Sequence, residues 1–256
     1  MSRLSTDRLC IALGAEALDF VRVSGFFKKT MISNAQAACD PHYGARPWDG
    51  ALKVLQEETG KLRAQRLKVT IVLSNQFVRY AIVPADAAVS GRAEELALAR
   101  FHFARIHGER AKGWELRLSE APGNGRRLAS AVDTGLIEAL RACFPPGAGP
   151  RLVSIQPRLM AVFNAERARL SRDGVWLALV EHGRVCLALA SREGWLAVQS
   201  VRFDAGEDLA ALLERESLRC GAAPVRSARV HGAPVKEGKG AGGWQLSQAF
   251  LPLGVA

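Results

Sequence analysis

The sequence has no apolar run near the roughly 18 to 20 residues that a bilayer-spanning helix needs; its longest, such as Trp176 to Val180, are strand-sized. A membrane-crossing chain is therefore not expected. A signal peptide is not expected either, because Asp7, Glu16 and Asp19 interrupt the first twenty residues and no small-residue cleavage site follows an apolar core. Cysteines are few and scattered: Cys10, Cys39, Cys143, Cys186 and Cys220 form no C-x-x-C pair, which excludes a zinc ribbon and points to a reducing, cytoplasmic setting. Cys10 and Cys186 lie in apolar runs and read as buried thiols, not nucleophiles. There are two tyrosines and no interleaved run of basic and aromatic residues, so nucleic-acid reading modules are not expected. The glycine-rich stretch Lys236 to Gly243 lacks the Gly-x4-Gly-Lys-Ser/Thr order of a phosphate loop and reads as a flexible loop before Trp244.

What the chain does have is an ordinary globular composition, 48% apolar and 23% charged over 256 residues, enough for one large domain or two packed lobes. Its 35 Lys and Arg against 25 Asp and Glu give a net charge of +10, spread over both halves. Such a field favours acidic partners or anionic surfaces. The densest local cluster is Lys61, Arg63, Arg66 and Lys68, with Lys28 and Lys29 as further candidates for electrostatic contact with an acidic tail or a lipid surface.

Periodicity supplies the organisation. Leu9 to Leu13, Leu18 to Val23 and Phe26 to Ile32 read as three strands. Trp48, Leu52, Leu55, Thr59 and Leu62 then recur at helical spacing, predicting a helix to about Arg66, and Val69 to Leu73 is a further buried strand. The second half repeats this order: strands at Val175 to Val180, Val185 to Ala190 and Trp195 to Phe203, a helix from Asp208 to Arg219, and a strand at Ser227 to His231. The two series lie about 165 residues apart, with Ala12-Leu13-Gly14 answering Glu181-His182-Gly183 at the first turn. The predicted class is α/β, two lobes of mixed sheet with flanking helices: residues 1–150 with an inserted subdomain at about 84–150, and residues 151–256. In the insert, Ser90 is expected to cap a helix from Arg92 to His107 with Leu96, Ala99, Phe103 and Ile106 inward, and Asp133 to cap a second. Strands are predicted at Trp114 to Leu118, Arg127 to Val132 and Leu152 to Ile155, with Pro157 opening a helix. His102 and His107 are five apart on the first helix, about 140° around it, and do not suit a shared metal.

A duplicated unit of three strands, a helix and a strand resembles the actin-like (ribonuclease H-like) core of the actin-like ATPase superfamily. The middle segment sharpens the resemblance: Pro84, Arg92-Ala93-Glu94-Glu95-Leu96, Phe101-His102-Phe103, Arg127 to Val132 with Leu136 to Leu140, and Val153-Ser154-Ile155-Gln156-Pro157 entering a helix. That succession is similar to the cytoplasmic actin-like subunits of type IV pilus and type II secretion assembly platforms, the PilM and GspL kind, over roughly residues 8 to 232. The resemblance implies a cytoplasmic scaffold, peripheral at the inner membrane, that holds the N-terminal tail of a membrane-anchored partner and links it to an assembly ATPase; a homodimer is compatible with it. It also implies where a nucleotide cleft would lie: Gly14, Glu181, Gly183 and Gly232. The chain departs from the superfamily at Ala12, where the first strand turn usually carries an Asp that organises Mg²⁺ and phosphate. A degenerate cleft is therefore expected, with no catalytic residue, no metal and no required cofactor, ATP being the one candidate. Because the sequence ends at Ala256 without a membrane helix, the soluble pilus-type arrangement is expected. The rival readings are an ATP-binding kinase or ATPase of the superfamily and a nucleic-acid-binding protein.

Overall fold

The computed structural model describes residues 7–25, 30–84, 91–120, 125–147, 149–204, 206–221, 225–235, 238–239 and 241–250. The chain opens as a meander, β1 (Arg8–Leu13), β2 (Ala17–Ser24) and β3 (Thr30–Ala38), followed by α1 (Asp49–Lys61) and β4 (Lys68–Leu73). An insert follows: β5 (Val78–Val83), α2 (Arg92–His107), β6 (Trp114–Leu118) and β7 (Arg127–Asp133). Then come α3 (Thr134–Ala142), β8 (Arg151–Pro157) and α4 (Arg158–Glu166). A second meander, β9 (Val175–Glu181), β10 (Arg184–Ser191) and β11 (Gly194–Arg202), leads through α5 (Leu209–Arg219) to β12 (Ser227–His231), β13 (Gly238–Lys239) and β14 (Gln245–Gln248).

Packing divides the chain into two compact units. One holds residues up to Val78 together with Val132–Ala161; the other holds Arg79–Ala131 with Val162–Leu251. In the first, the sheet order is β3-β2-β1-β4-β8. Antiparallel pairing within the meander gives way to parallel pairing at β4, because the α1 crossover returns the chain in the original direction. Register explains the stability of that junction: Leu9, Ile11 and Leu13 lie beside Val69, Ile71 and Leu73, all six almost fully buried on one face. On α1, Leu52, Leu55 and Thr59 are buried, as the spacing predicts, and Ala51 joins them, but the helix stops at Lys61 instead of about Arg66. Leu62 caps it through its N–H to the Thr59 carbonyl, and residues 62–67 form the connection to β4. Gly50 in the first helical turn is required by close approach, since a Cβ there would meet the Asp40 carbonyl oxygen at 2.0 Å.

The sequence-based division at residue 150 gives the segment after it to the second lobe. Strand pairing places β8 elsewhere: Arg151 to Pro157 runs parallel to Lys68 to Leu73 and closes the first sheet. The insert also groups with residues 162–251, not with the first sheet. Within the second unit the main sheet runs β11-β10-β9-β12-β14-β13. Its first five strands repeat the order of the first sheet. Its core gathers Trp176, Leu187, Leu189, Leu212, Leu213 and Trp244. The insert forms a three-stranded sheet, β5-β7-β6, with a core of its own that includes Val83, Ala99, Phe103, Leu116 and Ala129. On α2, Ala99 and Phe103 are buried and Leu96 packs partly, while Ile106, about 80° around the helix from Leu96, is 64% exposed. Gly91 occupies the N-cap position of α2 without a side-chain bond, and the expected cap Ser90 lies outside the described residues. Asp133 caps α3 as expected, its Oδ1 accepting from the Gly135 N–H at 2.8 Å. Pro157 ends β8, and α4 begins one residue later.

Candidate functional site

The residues expected at a nucleotide site fall at three strand ends. In the first unit, Ala12 and Leu13 close β1 and Gly14 enters the turn to β2. Gly14 donates its N–H to the Ala17 carbonyl at 3.0 Å, and a Cβ would approach that oxygen to 2.9 Å. The tight hairpin alone therefore accounts for this glycine. Ala12 is half-buried and offers only a methyl group, which ligates neither Mg²⁺ nor its waters. Its cross-strand neighbour Asp19 is already engaged, accepting from Gln36 Nε2 at 2.7 Å. These residues do not fit a metal-bound phosphate.

In the second unit, half-buried Glu181 ends β9, His182 is exposed, and Gly183 turns the chain at φ +66°, a conformation that favours glycine. Gly232, at φ +87°, follows β12. The strand leading to it is committed to packing. Glu166, 2% exposed, receives Arg229 from β12, with Nε 2.6 Å from Oε2 and Nη2 donating to Oε1 at 3.2 Å. His231, 1% exposed, sits 3.9 Å from the same carboxylate. The buried Glu166 carboxylate thus ties Arg229 of β12 to α4, while Gly232 itself is exposed.

Among the described residues no group of His, Cys, Asp and Glu is placed to hold a metal ion. His107 instead packs its ring against Phe103 and Trp114, at centroid distances of 6.2 and 5.0 Å. Burial, with a smaller contribution from the Arg79 charge, pushes its pKa below the ordinary 6.5. Desolvation pushes the Cys186 thiol up to about 12 and those of Cys39 and Cys143 up to about 11, so none of these three is a thiolate at neutral pH. Asp7 and Asp49 are shifted below 3.8, the first chiefly by its hydrogen bond from Arg22, the second chiefly by the Arg46 backbone N–H. The lowered pKa values of His107, Asp7 and Asp49 act in the same sense. An unfolded chain protonates His107 first as pH falls through about 6.5, and both carboxylates first below about 3.8, so each favours unfolding on acidification. The melting temperature is expected to decline below pH ~6.5 and again below pH ~4; a flat profile from pH 8 to 5 would show that water reaches His107 freely.

The basic cluster is exposed throughout. Lys61 ends α1 and pairs with Glu58 at 2.6 Å, Arg63 and Arg66 lie in the connection, and Lys68 opens β4. Lys28 and Lys29 lie outside the described residues. Sequence reasoning missed Arg8 and Arg151, which the sheet register sets on either side of Lys68. It also missed β14, the polar strand that completes the second repeat, and read as a flexible loop the segment whose described part holds β13, paired with β14.

No family model matches the chain, and no curated protein matches its sequence. Solved structures do match its fold. A Bacteroides thetaiotaomicron protein of unknown function described as having the actin-like ATPase fold superposes with a TM-score of 0.63 at 13% identity, covering 90% of this chain and 83% of that one. The chain has the actin-like ATPase fold. The cytoplasmic domain of EpsL, an inner-membrane component of the type II secretion system of Vibrio cholerae, matches with a TM-score of 0.61 at 12% identity over 95% of this chain and 90% of its own. A PilM–PilN type IV pilus biogenesis complex matches at 0.63 and 17%, over 88% and 81%. These superpositions bear out the actin-like expectation. No helix among the described residues is long and apolar enough to cross a membrane.

Proposed function

We propose that this protein is a non-catalytic scaffold of a type IV pilus or type II secretion assembly platform, acting on the cytoplasmic side of the inner membrane. In this reading it docks a membrane-anchored subunit and connects it to an assembly ATPase. The observation that carries the proposal is Ala12 at the first strand turn of an actin-like fold. Phosphoryl transfer depends almost wholly on metal and positioned charge, and a methyl group supplies neither. The fold shared with the EpsL cytoplasmic domain and with PilM directs the reading toward assembly platforms. Lys61, Arg63, Arg66 and Lys68 then steer an acidic partner segment toward the surface.

Thermal unfolding with and without millimolar Mg-ATP tests the first half. A ligand at 100 times its dissociation constant adds about 2.7 kcal/mol, a readable shift in a chain of this size. The expected result is no Mg-dependent shift, alongside a nucleotide-binding control that responds. A clear shift would reopen the kinase or ATPase reading. Co-purification with a membrane-anchored pilus or secretion subunit from solubilised inner membranes tests the second half.

A further inference from the structure

Three cations stand in one row across the first sheet. Arg8 opens β1, Lys68 opens β4 and Arg151 opens β8; Arg8 is in register with Lys68, and Lys68 with Arg151. Paired residues of neighbouring strands share a face, and strands lie about 4.8 Å apart, so the three cationic positions span only about 10 Å of sheet. Beneath them lies a groove of about 330 Å³, with Thr70 and the bulge residue Val153 in its lining. Among the described residues no acid contributes to that lining. Asp7, next to Arg8 in the chain, belongs to the opposite face by strand alternation and is held there by Arg22, whose Nη2 reaches its Oδ2 at 2.5 Å. On β2 the row continues as Val23, which is buried and apolar. Among the described residues, none of the three cations forms an ion pair.

Like charges directly opposite one another weaken a sheet, and here the repulsion is doubled, with no ion pair among the described residues to offset it. Placement at an exposed rim would relieve a single cation, but three in register over a concave surface form an arrangement that a multiply charged anion completes. We propose that this groove is a binding site for a phosphoryl group. Two guanidinium forks and an ammonium suit the three oxygens of a phosphate ester, the Thr70 hydroxyl adds a donor, and the volume admits a headgroup-sized molecule. A single carboxylate would leave most of the charge uncompensated. The site is independent of the assembly reading and lies at the N-terminal ends of the strands, opposite the β1–β2 turn with Ala12. Of the basic residues singled out from sequence, only Lys68 belongs to it.

Pyrophosphate at millimolar concentration and constant ionic strength is expected to raise the melting temperature by ~2 °C or more. Lys68→Gln is expected to melt ~1–3 °C higher than the parent without ligand, because it removes the central repulsion, and to lose the pyrophosphate response. Arg151→Gln repeats the test at the sheet edge, and Arg172→Gln, at an exposed position elsewhere, keeps the response. Sedimentation with phosphatidylglycerol vesicles, against phosphatidylcholine vesicles, separates the two sources: binding lost in Lys68→Gln assigns a lipid headgroup, while a pyrophosphate response alone assigns a soluble ester. Neither probe binding, or an equal pyrophosphate shift in Lys68→Gln, overturns the proposal. So does an acidic peptide that binds this face where pyrophosphate does not.

Discussion

Replacing Arg229 with methionine is expected to cost about 3–5 kcal/mol of stability, the penalty for leaving a buried charge without its partner. Glu166 is 2% exposed at the end of α4, and Arg229 reaches it from β12 at 2.6 Å. Arg169 also lies near that carboxylate, but at 3.7 Å and with its own side chain 66% exposed it does not replace the Arg229 guanidinium, which is 24% exposed. Methionine keeps the aliphatic bulk, so the loss reads the charge and not the volume. The double variant Glu166→Leu/Arg229→Met removes both charges together and is expected to recover most of the loss, as apolar replacement of a buried pair generally does. Urea unfolding of the parent, both single variants and the double variant completes the cycle. A loss below about 1 kcal/mol in Arg229→Met would place the pair with solvent-screened surface bridges. It would also mean that β12, with His231 3.9 Å from the carboxylate, is not held to α4 by a buried ion pair.

That buried pair was not legible in the sequence, because Glu166 and Arg229 are far apart in the chain and neither lies in a run that marks it as buried. The main repeat was legible for the opposite reason. Strands such as Leu9 to Leu13 and Val175 to Val180 are apolar runs because a central strand is covered on both faces, and that coverage is written directly into composition. Edge strands carry no such mark. Residues 30–38 are exposed almost throughout, with Ser33, Asn34 and Gln36 among them, and what makes them a strand is pairing with β2, so the sequence signal stopped at Ile32. The Gln245-Leu246-Ser247-Gln248 segment of β14 has one apolar side chain and is fixed by its parallel ladder with Ser227 to Val230. The same limit hid two thirds of the cationic row. Lys68 stood out beside Arg63 and Arg66, whereas Arg8 and Arg151 are isolated in the chain and become its neighbours only through register. Ala12, by contrast, was readable at once, because the turn that fixes its position is local.

Trp244→Ala is expected to cost about 3–5 kcal/mol, the range for emptying a large aromatic site in a packed core. The indole is 1% exposed and packs with Trp176, Leu212 and Leu213, and its Nε1 donates to Glu214 Oε2 at 2.8 Å. Glu214 also receives Arg226 Nη2 at 3.2 Å and is 40% exposed, so Trp244→Phe, which keeps most of the ring, is expected to cost only about 1 kcal/mol for the lost hydrogen bond plus a small void. The contrast has a structural consequence. Gln245 follows directly and donates its N–H to the Arg226 carbonyl at 2.7 Å, while Ala249 donates to Val230 at 2.8 Å, so the indole sits at the head of the strand that completes the second repeat. With four residues and one apolar side chain, β14 has little burial of its own to hold it. Hydrogen exchange at Gln245 and Ala249 is therefore expected to accelerate in Trp244→Ala well beyond the acceleration in Trp244→Phe. Unchanged protection in the alanine variant would mean that the ladder with β12 suffices. Accelerated exchange would assign Trp244 the task of anchoring the fifth strand, and would explain why a glycine-rich segment precedes it: the chain must turn sharply, with Gly242 at φ +68° and Gly243 at φ +78°, to deliver the indole into the core.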